Sequence, residues 1–157
     1  MNFRRFALLV TVLIVTSSVP ATSGAADDVT VQVLTLVGKA RGRTDPELRR
    51  HRSRLRRLAG FRAYRLVSDQ QVGCRWRADQ SFRLPNDRWL NLRPKRLADG
   101  QILMRVRIRD GNEALVDTDV RMNDRGTLVF GMPRDSLMGD GALLIMLNAG
   151  FPPEVRR

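Results

Sequence analysis

Two runs of period-two alternation constrain this chain more than any other feature. Ile102, Met104, Val106 and Ile108 alternate with Leu103, Arg105, Arg107 and Arg109. Ala114, Val116, Thr118, Val120 and Met122 alternate with Glu113, Leu115, Asp117, Asp119 and Arg121. Successive side chains on a strand point to opposite faces, so each run has one dry face and one wet face. Asp110-Gly111-Asn112 joins them as a three-residue hairpin loop with a left-handed position. That loop sets Arg109 opposite Glu113, Arg105 opposite Asp117 and Ile108 against Ala114. Asn123-Asp124-Arg125-Gly126 then turns into Thr127–Met132. The stretch Gln101–Met132 therefore reads as a three-stranded antiparallel meander.

The remainder of the chain reads as further strands and one helix. Val29–Val37 alternates and is rich in β-branched residues, as a strand requires. Gly38–Arg43 is a Gly-broken basic loop. Thr44 is placed to cap a helix, with Pro46 in the first turn and Glu47 at capping-box spacing. The helix is expected to run to Ala59 and stop at Gly60. Leu48, Leu55, Leu58 and Ala59 share its apolar face, and arginines fill the remaining arc. The stripe is narrow, so the helix is expected to pack along one line only.

After Gly60, Phe61–Val67 reads as a strand, Ser68–Gln71 as a turn, and Val72–Ala78 as a third strand. Ser81–Leu84 follows, then a turn at Pro85-Asn86-Asp87 and a strand Arg88–Arg93 with Leu90 and Leu92 inward and Trp89 opposite. Pro94–Gly100 reads as a loop. Ala142–Ala149 is a nearly continuous apolar run, which suits a strand buried on both faces. The predicted fold class is mainly β (α+β): a two-layer, mostly antiparallel β-sandwich with one N-terminal amphipathic, Arg-rich helix covering an edge or face.

The front of the chain bears on compartment. Arg4 and Arg5 precede the uncharged run Phe6–Val15, and small polar residues follow to Ala25. Basic start, short apolar run and small-residue site describe a cleaved secretory signal peptide over residues 1–25. The preferred site is Ser23-Gly24-Ala25 before Ala26, with cleavage after Ala21 as the fallback. Residues 26–150 then form one β-rich domain, 151–157 a polar tail, and the product is expected in the periplasm or secreted.

Charge and composition point to binding rather than catalysis. The formal net charge is +12, and Lys39 and Lys95 are the only lysines. Charge of this size draws anionic partners and speeds encounter without dictating fold. Its densest run is Lys39, Arg41, Arg43, Arg49, Arg50, Arg54 and Arg57, the candidate partner-binding surface. The expected partner is an acidic protein face or an anionic envelope component. Nucleic acid is not expected, because Tyr64, Trp76, Phe82 and Trp89 read as core residues rather than a stacking platform. No catalytic, metal-binding or cofactor-binding residue is assigned. His51 is the single histidine and lies among arginines, and Cys74 is the single cysteine, expected as a small buried hydrophobe. Phosphate-cradling and dinucleotide-binding glycine motifs are missing. The competing expectation is a periplasmic small-ligand-binding sandwich with an apolar cavity between sheet and helix.

Residues 101–134 resemble the C-terminal β module of bacterial secretins, the outer-membrane rings of type II and type III secretion. The resemblance lies in the order of Ile102–Arg109, Val116–Met122, the Gly126 turn, the short apolar strand Thr127–Phe130 and Gly131. Met132 stands where that family has a second glycine. The resemblance implies a small exported relative of one secretin-like module, associated with a secretion apparatus and without a pore of its own. It assigns no role to any residue.

Overall fold

The computed structural model describes residues 28–132 and 141–152. The predicted signal peptide, the Pro133–Asp140 connection and the tail beyond Pro152 lie outside the described residues. Among the described residues there are eight strands and one α-helix: β1 (Asp28–Lys39), α1 (Arg52–Ala59), β2 (Ala63–Arg75), β3 (Gln80–Arg83), β4 (Arg88–Arg96), β5 (Ile102–Asp110), β6 (Glu113–Met122), β7 (Gly126–Gly131) and β8 (Ala142–Gly150). They form two four-stranded sheets, ordered β2-β1-β8-β7 and β3-β4-β5-β6. Every strand pair is antiparallel. The mainly β sandwich expected from the sequence is thus the fold. Among the described residues, no helix is long and apolar enough to cross a membrane.

The alternating faces meet between the sheets. Val29, Val31 and Val33 of β1 and Ile145, Leu147 and Ala149 of β8 pack against Leu90, Leu92, Met104, Val106 and Ile108 of the second sheet. Cys74 faces this same core, as expected. Thr35 sits in the row between Val33 and Val37, is fully buried, and its Oγ1 has no hydrogen-bond partner among the described residues. An unsatisfied buried hydroxyl costs free energy that a methyl group of the same shape does not. Thr35→Val is therefore expected to raise unfolding stability by about 1 kcal/mol, read as a higher urea midpoint at unchanged slope. A lowered midpoint would mean that the hydroxyl is bonded after all.

A second, smaller core lies on the other face of the first sheet. Leu34 and Leu36 of β1, Tyr64 of β2, and Leu144 and Met146 of β8 are covered by Leu48 and Leu55. This explains why β1 changes pattern along its length. Its first half alternates, with Thr30 and Gln32 half-buried, whereas Val33 to Gly38 is buried throughout. The helix covers only the half of the sheet beyond Gln32.

Several local expectations are corrected. The Gln101–Met132 meander is two strands, not three: β5 and β6 pair, but β7 crosses to the first sheet and pairs with β8. The hairpin loop is the two residues Gly111-Asn112, with Asp110 opposite Glu113 and Arg109 opposite Ala114. A bulge follows, so Arg105 stands opposite Asp119 rather than Asp117. The extra residue is Leu115, and the bulge lets both Leu115 and Val116 pack on the core. The Arg105 guanidinium still reaches Asp117 at 2.8 Å and Asp119 at 3.3 Å.

Ser68–Gln71 is not a turn; β2 is one strand of thirteen residues, paired with β1 along its whole length around a bulge at Val67. Pro94 is not in a loop but inside β4. Its carbonyl accepts from Arg77 N–H at 2.7 Å, on the side β3 has already left, so the missing proline N–H breaks no ladder bond. The helical segment begins as a 3-10 turn over Pro46–His51 before α1. Thr44 does not cap it. Asp45 holds the cap position, and its carboxylate accepts Leu66 N–H at 2.8 Å, which ties the segment to β2. Gly60 ends the helix at φ 75°, as expected. Leu58 and Trp89 are not core residues; they are 52% and 45% exposed.

Candidate basic groove

The helix that covers half of the first sheet also walls a groove over the other half. Across that open half run β2, β1, β8 and β7, and their register sets Gln71, Gln32, Asn148 and Thr127 in one row. The row forms a relay of hydrogen bonds with one direction. Arg54 of α1 donates to Thr127 Oγ1 at 2.5 Å. Thr127 donates to Asn148 Oδ1 at 2.7 Å, and Asn148 Nδ2 to Gln32 Oε1 at 3.2 Å. Gln32 Nε2 ends it on the Asp69 carboxylate at 2.9 Å and 3.0 Å. Beside this row lies a groove of about 470 Å³, lined by Arg50, His51 and Arg54 on the helical side, Thr30, Gln32, Gln71 and Asn148 on its floor, and Arg125 and Phe151 beyond.

His51 joins the helix to this groove. Its Nε2 accepts from Arg50 Nε at 3.0 Å, which requires the neutral ring. Burial lowers the His51 pKa from its ordinary value, and the Arg50 and Arg54 charges lower it further against the opposing pull of Asp69. Cys74 faces the core on the other side of the first sheet, so the sheet separates the single histidine from the single cysteine. Among the described residues, no group of three or more His, Cys, Asp or Glu side chains gathers to hold a metal ion.

Arg125 reaches the groove from the turn between β6 and β7. Gly126 N–H donates to Asn123 O at 2.9 Å, and Arg125 sits at φ 59°, a left-handed position more often held by glycine or asparagine. Asp124 Oδ1 accepts Phe151 N–H at 2.8 Å, which fastens the turn to the end of β8. Phe151 is itself held by the Trp76 ring, 5.8 Å between centroids, and by the Arg96 guanidinium over its face at 5.3 Å.

The seven residues named from the sequence do not form one site. Arg50 and Arg54 line the groove. Arg49 and Arg57 lie with Arg52, Ser53 and Arg56 around a separate open hollow on the helix. Lys39, Arg41 and Arg43 are exposed at the end of β1 and in the loop after it. Sequence reasoning missed Arg125, Gln32 and Asn148. The available signal was a lone amide at matching depth in two otherwise apolar strands, Gln32 in VTVQVLTLV and Asn148 in ALLIMLNA.

The two basic faces differ in how their charge is balanced. On the second sheet, Arg83 pairs with Asp87 at 2.6 Å, Arg93 with Asp79, Arg105 with Asp117 and Asp119, and Arg107 with Asp117 at 3.4 Å. Arg93 is the reason the Asp79 pKa falls below its usual carboxylate value. Among the described residues, no carboxylate lies within salt-bridge distance of the helix arginines or of Arg125. No protein-family model matches this chain, and no curated protein matches it.

Proposed function

We propose that this protein is a small, exported, non-enzymatic binding or assembly component of the cell envelope, docking an anionic partner on its helix face. The observation that carries this reading is the contrast in charge balance. On the second sheet five of eight arginines, Arg83, Arg88, Arg93, Arg105 and Arg107, have a carboxylate within salt-bridge distance, whereas the six arginines within nine residues on the helical segment have none among the described residues. Like charges so close repel along a helix, and an anion from outside relieves that repulsion. The lone histidine and cysteine, kept apart by a sheet, support a role without covalent catalysis. Export rests on the predicted signal peptide, and association with a secretion apparatus on the resemblance of residues 101–134.

The test is capture of partners from envelope extracts by protein starting at Ala26, at low and high salt. Replacing Arg49, Arg50, Arg54 and Arg57 with Gln is expected to weaken capture about tenfold or more, and salt to release the partner, because exposed charges are screened beyond about 10 Å at 0.1 M. Arg105→Gln with Arg107→Gln, two arginines already paired with Asp117 and Asp119, is expected to change capture less than twofold. Equal loss from both sets, or capture indifferent to salt, would overturn the helix face as the docking surface.

A further inference from the structure

The groove beside α1 differs from the other basic hollow on the helix in having a donor held in place by a chain of hydrogen bonds. Arg54 is fixed by Thr127, Thr127 by Asn148, and Asn148 by Gln32, so the guanidinium is oriented before any ligand arrives. Arg50 lies on the same wall, its Nε bonded to the neutral His51 ring and released to a ligand when that ring is protonated. Arg125 faces them from a turn that closes tightly on β8. Gly150 permits that closure: a Cβ there would lie 3.1 Å from Asp124 Oδ1 and 3.3 Å from Arg125 N. Three arginines thus line one groove from two walls, with no carboxylate among its lining residues.

A guanidinium offers paired N–H donors in a plane, which match the oxygens of a phosphoryl group two at a time. Three of them balance a dianion better than a single carboxylate. The floor supplies amide and hydroxyl groups from Thr30, Gln71 and Asn148, suited to the hydroxyls of whatever carries the anion. At about 470 Å³ the groove has the size of a small-molecule site rather than of a protein footprint. The geometry points to a binding site for a phosphate monoester on a hydroxylated carrier, held by Arg50, Arg54 and Arg125. This rests on the helix face being an anion-binding surface and narrows it to one groove and one chemistry.

His51, the only histidine, gives the assay. The charged and titratable groups around it are Arg50 and Arg54 on its own segment, Asp69 on β2 and Arg125 across the groove. A bound dianion offsets the arginines, so it raises the His51 pKa, and by linkage the protonated form binds the anion more tightly. The imidazole resonances are followed by NMR against pH with sulfate, inorganic phosphate, glycerol phosphate and vesicles containing phosphatidic acid. Sulfate does not titrate in this range, so its affinity is expected to rise as pH falls below the ordinary histidine value, where the lowered His51 group takes up its proton.

Arg54→Gln with Arg125→Gln is expected to weaken phosphate and glycerol phosphate binding about tenfold or more. Arg52→Gln with Arg56→Gln, on the opposite flank of the helix, is expected to leave both within about twofold. Saturation by glycerol phosphate in solution assigns a soluble phosphate ester. Saturation only on vesicles assigns a lipid head group. Absence of a His51 response to every probe overturns the site, as does a flank variant that loses as much as the groove variant. If partner capture from envelope extracts stays salt-sensitive while the groove gives no response, the docking face stands and this inference alone falls.

Discussion

Leu55→Ala is expected to cost about 3 kcal/mol of unfolding stability, within the range of about 2–5 kcal/mol for truncating a buried leucine. Leu55 is fully buried and, with Leu48, forms the whole apolar contact of the helical segment that is closed to solvent. Beneath it lie Leu34, Leu36, Leu144 and Met146. The α-helical part is only eight residues long, far below the length at which a helix holds itself together in water. Its arginines repel, and neither Asp45 before the 3-10 turn nor His51 before α1 gives a side-chain capping bond, so packing is what keeps it folded. Removing one of two anchors therefore acts on the helix before it acts on the sandwich. In equilibrium denaturation this predicts a lower midpoint, and in hydrogen exchange it predicts faster exchange of the α1 amides than of β1 or β8. Leu58→Ala is the comparison, because Leu58 is half exposed and its truncation is expected to stay within about 0.5 kcal/mol. Equal effects from the two substitutions would mean that the helix is not held along a single line. The variant also bears on binding. Arg50, His51 and Arg54 ride on the helical segment while Arg125 belongs to the sheet, so loosening the helix dismantles the groove.

The pattern of what the sequence disclosed follows from where each residue meets water. Ile102–Ile108 was readable because β5 lies between two neighbours with one face on the core and the other in solvent. Leu143–Leu147 was readable for the opposite reason: β8 is central in its sheet and covered on both faces, by the second sheet and by the helix. Ser68–Gln71 was misread because β2 is an edge strand there. The polar residues that mark a turn elsewhere are simply the wet part of a long strand. The departure of β7 to the other sheet has no local signature, since a short apolar strand after a tight turn fits either sheet. The groove was the least legible part. Its arginines are 71 positions apart between Arg54 and Arg125, and only the β1–β8 and β7–β8 registers bring Gln32, Asn148 and Thr127 into line.

Gly38→Ala is expected to destabilise the fold by about 1–3 kcal/mol, the usual range for forcing an extra methyl group into a packed site. Read from the sequence, Gly38 opens a Gly-broken basic loop; in the structure it is buried inside β1, opposite Tyr64 on one side and Ala142 on the other. The Phe61 ring lies across its Cα. A Cβ at this position would stand 2.5 Å from Phe61 Cδ2 and 2.7 Å from Cγ, distances no real contact tolerates. Those atoms are the root of the ring, so a small rotation does not relieve the clash and the whole side chain has to leave. Its departure loses the edge-on contact with Tyr64, at 6.3 Å between centroids, and strains the Phe61 N–H bond to the Tyr64 hydroxyl. The effect is thus one of shape and not of backbone freedom, because Gly38 lies in an ordinary strand and is absent from the left-handed glycines. A double-mutant cycle separates these accounts. If the ring is the obstacle, Gly38→Ala costs almost nothing in a Phe61→Ala background. If Gly38→Ala costs the same in both backgrounds, the ring is not what requires glycine here, and the close approach of Phe61 to β1 is not what seals the end of the smaller core.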